Sequence, residues 1–392
     1  MTSVTFWARR TYGTCDFQKY PDSPEAPYAC GFTTIRTSKY GNEVQVYYPI
    51  SKESANRQKF RDSPFLPHGH KTMRGLSLLA KLPTWLGPWL LRYYYNINLD
   101  VFVEAPLASR FNGKPLIPIF FSHSLGAFSN MFSRLHRDLA RHGYIVFTIN
   151  HLDGTCTHAV DKDDKDIYFG ARTNLTDHKE LRGKQLRIRE NELRQLIQEV
   201  CFDDKREILK QTSLSEWIQF DIDKITTFGH SFGGITALRA AYLDPRVKAV
   251  LALDPWMFLH LEDIDAGTFA ISAPHVTINT ENFDLKCFYK SNRYIQTFQE
   301  NSKTKYKEGI IVKRIAHALQ QDLCCINPIE LCLSTKEKLH SDLSYLYFMH
   351  GQLMLAFLDQ IGFNKTFKAD TVHKRVEEFK DQMTIMKVHK TE

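Results

Sequence analysis

Residues 224–242 read KITTFGHSFGGITALRAAY, in which an apolar, β-branched run is followed by Gly229-His-Ser-Phe-Gly-Gly234 and then by a helix-like stretch. The pattern G-x-S-x-G between a strand and a helix is a sharp turn in which only glycine fits on either side of the serine. Ser231 would then project its hydroxyl above the sheet, at a helix N-terminus whose dipole favours developing negative charge. The stretch therefore predicts a nucleophilic serine, the alternative being an ordinary glycine-rich turn.

Four further apolar runs end abruptly in Gly, Ser, His, Asn or Asp and are typical of buried parallel strands. They are residues 116–121, 144–148, 247–253 and 310–315. Helix-like stretches lie between the runs, as in βαβ units. The sequence thus predicts an α/β-hydrolase fold, a largely parallel, doubly wound sheet whose ligands bind at the carboxyl ends of the strands.

The predicted catalytic domain spans residues 28–362 and contains a helical insertion at about 161–223. The insertion is rich in charged residues, but four apolar residues recur at helical spacing and indicate one buried helix face. These are Leu186, Leu193, Ile197 and Val200. Residues 1–27 are interpreted as an N-terminal extension, and the Lys-rich residues 363–392 as a charged C-terminal helix or tail.

Composition and charge exclude several classes of protein. The 392 residues are 43% hydrophobic and 24% charged, which is enough apolar material for a large core. The net charge of +7 is spread along the chain, with no Lys/Arg block dense enough to indicate a nucleic-acid partner. No H-E-x-x-H, EF-hand or clustered Cys/His pattern occurs, so we predict neither a metal nor another cofactor.

The cysteines and the first residues bear on the cellular compartment. The eight cysteines lack C-x-x-C spacing and suit reduced thiols packed as small apolar groups. The opening residues MTSVTFWARR form no secretory signal, and Thr2 does not fit the myristoylation pattern. No uninterrupted apolar run reaches the ~18–20 residues of a bilayer-crossing helix. We therefore expect a cytoplasmic protein whose membrane association, if it has any, is peripheral.

A serine needs a histidine and an acid to become a nucleophile, and in this fold the order along the chain is Ser, acid, His, each just after a strand. Asp254 directly follows the run 247–253, and His317 lies one residue beyond the run 310–315. We predict that these two residues serve Ser231. Other acids and histidines beyond Ser231 do not directly follow a predicted strand and are weaker candidates. They are Glu262, Asp263, Asp265, His260, His275, His340 and His350.

An acyl-transfer site also needs hydrogen-bond donors for the oxyanion, each worth about 3–4 kcal/mol in a protease. One donor is the backbone N–H that follows the nucleophile, here that of Phe232, and the other comes from a loop after an earlier strand. Residues 122–127, SHSLGA, directly follow the run 116–121 and fit this role. Neither Ser122 nor Ser124 has a glycine two positions before it, so we interpret both as loop residues.

Five motifs carry a resemblance to a known family. They are Phe121-Ser-His-Ser-Leu-Gly-Ala-Phe128, His142-Gly-Tyr-Ile-Val146, Gly229-His-Ser-Phe-Gly-Gly234, Ala252-Leu-Asp-Pro-Trp256, and Ala316-His317 followed by Asp322. Together, over about residues 28–358, they resemble the platelet-activating factor acetylhydrolases of the plasma and intracellular isoform II type, also called lipoprotein-associated phospholipase A2. The resemblance implies that Ser231, Asp254 and His317 form the catalytic triad. It also implies that the amides of Leu125 and Phe232 form the oxyanion hole.

This family resemblance implies a calcium-independent hydrolase that removes short or oxidatively truncated acyl chains from the sn-2 position of phospholipids. Within the same class, the alternative is a broader carboxylesterase or thioesterase that acts on soluble esters. From another class, the alternative is a non-catalytic lipid-binding relative that keeps the fold. The complete order of Ser, Asp and His along the chain argues against the non-catalytic alternative.

Residues 73–95 are rich in Leu, Trp and Tyr, carry three basic residues and are interrupted by two prolines. Aromatic side chains beside cations favour a membrane interface, although the same residues could cover the sheet or line the mouth of the active site. In the resembled family a hydrophobic helix in the equivalent region contacts lipid surfaces, so we expect such a contact here. The residues expected to make it are Trp85, Leu86, Trp89 and Leu90.

Overall fold

The computed structural model describes residues 26–90, 92–111, 114–170, 179–214, 218–284, 291–323, 343–363 and 372–386. The strands in these ranges are β1 (Ala29–Arg36), β2 (Glu43–Ile50), β3 (Phe102–Val103), β4 (Ile117–Ser122), β5 (Tyr144–Ile149), β6 (His158–Val160), β7 (Asp166–Tyr168), β8 (Thr226–His230), β9 (Ala249–Leu253), β10 (His275–Thr280), β11 (Lys307–Val312) and β12 (Met383–Ile385). The helices are α1 (His70–Leu79), α2 (Leu86–Leu90), α3 (Ser133–Arg141), α4 (Lys179–Cys201), α5 (Phe232–Leu243), α6 (Leu261–Asp265), α7 (Ser291–Asn301), α8 (Leu343–Gln360) and α9 (Val372–Glu378).

One central sheet organises the described chain, with its strands in the order β12-β11-β10-β9-β8-β4-β5-β2-β1-β3. The six strands from β11 to β5 in this order run parallel, whereas β2 is antiparallel to β5 and β1 is antiparallel to β2. Every residue of β4, β5, β8 and β9 is buried, as the continuous apolar runs predict. The largely parallel sheet of an α/β-hydrolase fold is confirmed.

Helices cover both faces of the sheet, and each face has its own apolar core. The core on one face includes side chains of α1, α3, α8 and α9. The core on the other face includes side chains of α4, α5 and α7. Because both faces are closed in this way, the open positions for a ligand lie at the strand ends.

The predicted insertion is helical in the middle and has other structure at its start. Its apolar stripe lies on α4, and all four predicted residues, Leu186, Leu193, Ile197 and Val200, are buried. Residues 166–168 are instead the strand β7, which pairs antiparallel with β6. The stripe is visible in the sequence because α4 is long, whereas a three-residue strand has too few positions to show alternation.

The C-terminal segment 363–392 is more than the predicted charged helix or tail. Its helix α9 is present, but β12 follows and pairs antiparallel with β11 at the edge of the sheet. The strand is held there because Met383 and Met386 are buried, with Met386 against Gly309. Of the predicted N-terminal extension 1–27, all but the last two residues lie outside the described ranges.

The run 310–315 is a strand at 307–312, three residues earlier than its apolar pattern indicates. The strand ends at Val312, Arg314 has a positive φ of 56°, and Ile315 is buried in the core without belonging to a strand. His317 therefore lies five residues beyond the strand, at the start of a short 3-10 turn over His317–Gln320.

Candidate active site

Ser231 lies in a tight turn between β8 and α5, with φ 56° and ψ −115°. A side chain on Gly229 would place Cβ 2.0 Å from the Gly233 carbonyl oxygen, and one on Gly233 would place it 1.9 Å from the Ser122 carbonyl oxygen. Both positions therefore require glycine. The Ser231 N–H donates to the Leu253 carbonyl at 2.9 Å, which ties the turn to the end of β9. The serine itself is 8% exposed.

The structure brings together the three residues that the sequence predicts as a triad. The Oγ of Ser231 lies 3.0 Å from Nε2 of His317, and Nδ1 of His317 lies 2.8 Å from Oδ2 of Asp254. With the Nδ1 proton donated to the carboxylate, the lone pair of Nε2 accepts the serine proton. The His317 side chain is 16% exposed and that of Asp254 is fully buried, so the series runs from the protein interior to the surface.

The orientation of Asp254 depends on a residue that the sequence analysis does not identify. Thr280, at the end of β10, donates its backbone N–H to Oδ1 of Asp254 at 2.6 Å and its hydroxyl to Oδ2 at 2.8 Å. Such a residue could be found in the sequence by looking for polar residues at the end of the strand next to β9, since the carboxyl ends of adjacent parallel strands meet at one edge of the sheet.

The imidazole of His317 lies between two rings. The His230 ring stacks on it with centroids 4.5 Å apart, and the Phe283 ring stacks with centroids 4.7 Å apart. Burial, followed by the nearby His317, lowers the pKa of His230 well below its usual value, so this ring stays neutral. Two aromatic faces restrict the His317 ring plane, and each presents π-electron density to a positive imidazolium.

The two predicted oxyanion donors lie on segments that pack together. Phe232 is the first residue of α5, where backbone N–H groups have no partner within the helix. Among the described residues the Leu125 N–H donates no hydrogen bond, whereas the next amide, that of Gly126, donates to Thr155 at 2.8 Å. The close approach of Gly233 to the carbonyls of Ser122 and His123 places this loop beside the start of α5.

The alternative acids and histidines take other positions. Lys179 pairs with Glu262 and His260 pairs with Asp263, both on the protein surface, while Asp265 lies exposed at the end of α6. His275 is buried in β10, and its Nδ1 lies 3.0 Å from the Ala273 carbonyl. His350 is buried on α8 beside Gln320, and His340 lies outside the described residues.

One group of potential metal ligands occurs within the described ranges, and it overlaps the triad. Ligand atoms of His230, Asp254 and His317 lie within 4.8 Å of one another. Two imidazoles and one carboxylate suit zinc better than calcium, which prefers six to eight oxygen ligands. Asp254 and His317 are already hydrogen-bonded to each other, so the geometry is accounted for by proton transfer without an ion.

The segment 73–95 divides into a buried and an exposed part. Met73 and Leu76 on α1 are 0% and 5% exposed and belong to the core, whereas Trp85 and Trp89 are 75% and 64% exposed. Leu86 is partly buried, and the side chain of Leu90 lies outside the part that the structure describes. The start of the segment therefore packs into the core, whereas its two tryptophans do not.

Comparisons with known proteins identify one family to which the chain is similar. A sequence model of the family described as "Platelet-activating factor acetylhydrolase, isoform II" matches residues 17–379. The platelet-activating factor acetylhydrolase of Cavia porcellus is 28% identical over 361 residues, which are 87% of this chain and 78% of that protein. The one from Bos taurus is 33% identical over 283 residues, which are 68% of this chain and 60% of that protein.

The fold is similar to that of a solved ferulic acid esterase from Streptomyces cinnamoneus. The TM-score is 0.63, and the match covers 93% of this chain and 98% of the esterase chain. At 15% sequence identity, this likeness bears on the fold alone.

Proposed function

We propose, from the premise that the chain belongs to the platelet-activating factor acetylhydrolase, isoform II, family, that it hydrolyses short or truncated sn-2 acyl esters of phospholipids without calcium. Membership of this family makes the chain a serine esterase. The observation that carries the proposal is the hydrogen-bonded series from Ser231 through His317 to Asp254, with steps of 3.0 and 2.8 Å.

In the proposed mechanism, Nε2 of His317 takes the Ser231 proton while Oγ attacks the sn-2 carbonyl carbon. The amides of Leu125 and Phe232 donate to the oxyanion that forms. When the tetrahedral intermediate collapses, the ester C–O bond breaks and His317 protonates the departing lysophospholipid oxygen. A water molecule, deprotonated by the same histidine, then releases the short acid from Ser231. Asp254 orients the imidazole and stabilises its positive form.

The proposed independence of calcium is supported by the way the nucleophile is activated. The serine is activated by a base 3.0 Å away, a distance at which proton transfer needs no bound cation. Activity is therefore expected to survive an excess of chelator. Loss of activity with chelator and its recovery on adding Ca²⁺ would contradict this part of the proposal.

Substrate class is tested with phosphatidylcholines whose sn-2 chains range from acetyl to palmitoyl, together with water-soluble short-chain esters and thioesters, all assayed with chelator present. We expect rapid hydrolysis of the acetyl and other short-chain phospholipids and a decline with chain length. Hydrolysis of the soluble esters alone would indicate the broader carboxylesterase or thioesterase. Phospholipid binding with no hydrolysis of any ester would indicate the non-catalytic relative.

We further propose that Trp85 and Trp89 contact a lipid surface. Large exposed aromatic side chains close to basic residues suit the headgroup region of a membrane. The start of the same segment reaches the site, because α1 ends at Leu79 and a Cβ on Gly126 of the Leu125 loop would lie 2.8 Å from the Leu79 side chain. Among the described residues, no helix combines the length and apolar composition needed to cross a bilayer.

This contact is tested with Trp85→Ala/Trp89→Ala and with the control Ile222→Ala/Tyr242→Ala, which removes two exposed apolar side chains elsewhere. The tryptophan variant should bind anionic phosphatidylserine vesicles several-fold more weakly and still hydrolyse a water-soluble ester at the normal rate. The control should change neither property. Equal vesicle binding by the wild type and a folded tryptophan variant would remove this role.

The cytoplasmic location remains a proposal supported by the cysteines. Cys30 and Cys156 are buried free thiols, and burial raises the pKa of Cys30 to about 12. Such thiols are inert packing groups in a reducing compartment. Fractionation of cells that make the full chain, with blotting of cytosol, membrane and medium, would test this location. Recovery mainly from the medium would overturn it.

A further inference from the structure

Arg189 is a fully buried cation on α4 that the mechanism above does not use. Its Nε lies 2.9 Å from Oδ2 of Asp153, and both side chains are 0% exposed. A buried ion pair is a costly element because both charges lose their hydration. Besides its partner carboxylate, the guanidinium contacts the loop that carries Leu125 and the first residue of α5.

One set of contacts ties Arg189 to the loop that carries Leu125. Its Nη1 donates to the His123 carbonyl at 2.5 Å, and its Nη2 donates to the Thr155 hydroxyl. The Thr155 carbonyl in turn accepts the Gly126 N–H at 2.8 Å. Leu125 lies between His123 and Gly126, so the arginine supports the chain on both sides of the predicted oxyanion donor.

A second contact ties Arg189 to the other predicted donor. The guanidinium carbon lies over the Phe232 ring, 4.7 Å from its centroid. Phe232 is fully buried, so this cation–π contact is desolvated, which is the setting where such contacts are strongest. The planar guanidinium thus contacts both donor segments at once, which the point charge of a lysine cannot reproduce.

The same helix braces this loop one turn further on. Glu192 lies 2.6 Å from Nδ1 of His151, and Nε2 of His151 lies 2.8 Å from the Ser122 hydroxyl. The His151 backbone N–H donates to Nε2 of His123 at 3.2 Å. Residues three apart share a helix face, so α4 directs both Arg189 and Glu192 at the segment that begins the loop.

We propose that Arg189 is the positioning residue of the oxyanion hole, fixing the Leu125 amide and the Phe232 amide relative to each other. It acts through the His123 and Thr155 contacts on one side and through the Phe232 ring on the other. The proposal rests on the proposed function, since it assigns no separate activity. It gives the helical insertion a role in transition-state stabilisation in addition to its role in covering the sheet.

The test compares Arg189→Lys with Arg189→Met/Asp153→Asn, which removes both buried charges together. The control is Arg137→Met, because Arg137 is also buried, pairs with Asp100 at 2.9 Å and donates to the Leu99 carbonyl, on α3 away from the site. Each variant is measured for kcat and KM on a water-soluble short-chain ester, for thermal unfolding, and for affinity toward a trifluoromethyl ketone. Such a ketone forms a tetrahedral adduct with the serine and needs the oxyanion donors.

Loss of one oxyanion donor costs about 10²–10³ in kcat, so we expect the double variant to lose about 10² in kcat with KM nearly unchanged. Its affinity for the ketone should fall by a similar factor. Arg189→Lys should be intermediate, because it keeps a charge for Asp153 and loses the planar contact with Phe232. The Arg137→Met control should lose stability while keeping kcat and ketone affinity.

Normal kcat and ketone affinity in the folded Arg189→Lys and double variants would overturn the proposal. The proposal would also be overturned if the Arg137→Met control, with the same unfolding temperature as the Arg189 variants, lost kcat to the same degree, because lower stability would then explain the loss. Failure of the proposed function looks different, because the wild type would then leave short sn-2 esters of phospholipids intact, whether or not it hydrolyses the soluble ester. An inactive Ser231→Ala together with normal Arg189 variants would reject this inference alone.

Discussion

Within the described parts of the chain, two serine–histidine–carboxylate series have similar spacing. In the first, Ser231, His317 and Asp254 are joined by contacts of 3.0 and 2.8 Å. In the second, Ser122, His151 and Glu192 are joined by contacts of 2.8 and 2.6 Å. Judged by hydrogen-bond lengths alone, the second series is the tighter of the two.

Their surroundings differ in every respect that matters for chemistry. Ser122 and His151 are 0% exposed and Glu192 is 2% exposed, whereas Ser231 and His317 reach solvent. Ser122 ends a strand that is paired on both sides, while Ser231 lies in a positive-φ turn at a helix N-terminus. A hydrogen-bonded series becomes a catalytic candidate when substrate can reach it and free amides lie beside it. Without these features it is structural.

The nucleophiles provide the sharpest test of this comparison. Ser231→Ala or His317→Ala should lower turnover by about 10⁴–10⁶-fold with the fold intact, because the members of a triad act as a unit. Ser122→Ala removes one buried hydroxyl and should change turnover by less than ~10-fold, the scale of a single hydrogen bond. Ester hydrolysis and circular dichroism of the variants check both. A Ser122 variant as inactive as the Ser231 variant would reverse the assignment.

The acids should differ in the same direction. Asp254→Asn should cost about 10⁴ in kcat, because Asp254 selects the tautomer of His317 and stabilises the imidazolium formed in each cycle. Glu192→Gln should cost much less, since burial lowers the pKa of His151 well below its usual value and this ring does not become charged. Burial also raises the pKa of Glu192 to about 8, so a neutral amide resembles the form it favours at pH 7. Similar losses in both variants would contradict the distinction.

A smaller effect is expected from Thr280→Val, which removes the hydroxyl donated to Asp254 at 2.8 Å and keeps the backbone donor. A hydrogen bond to a charged group contributes about 1.5–3 kcal/mol, so kcat should fall by roughly 10- to 10²-fold with KM unchanged. Thr277→Val, at a buried threonine in the same strand, serves as the control. An equal loss of kcat in the two variants would assign the effect to the strand rather than to Asp254.

The smallest effect concerns stability and a buried histidine outside both series. His136 is fully buried with its ring 4.4 Å from that of Phe121, and neither ring nitrogen has a partner among the described residues. Burial lowers the pKa of His136 well below 6.5. Below pH 6.5 the unfolded chain therefore binds a proton that the folded chain does not, and the free energy of unfolding falls as the pH falls.

His136→Leu should remove this part of the acid sensitivity. Between pH 7.5 and pH 5.5 the free energy of unfolding should fall by about 1 kcal/mol less in the variant than in the wild type. Urea unfolding at the two pH values measures the difference. The control is His70→Leu, since the side chain of His70 is exposed. An identical fall in stability for the wild type and His136→Leu would show that this ring takes up its proton in the folded state.

Much of the catalytic assignment could be predicted because it is encoded locally. The strand before Ser231, the glycines around it and the helix after it occupy one short stretch, and Asp254 directly follows an apolar run. Where local pattern and tertiary packing compete, prediction is less accurate. Ile315 extends the apolar run before His317, although it packs into the core after the strand has ended at Val312.

The fold class, the nucleophile turn, and the order of serine, acid and histidine can be read from the sequence, because each depends on neighbours in the chain or on strand periodicity. Three properties come instead from the packing of distant segments: Thr280 holds Asp254, Arg189 contacts both donor segments, and Ser122 is fully buried while Ser231 reaches solvent. These properties arise between side chains that are distant in the chain. Such pairs meet only when the strands and helices that carry them have packed, and no periodicity in the sequence records which of them will meet.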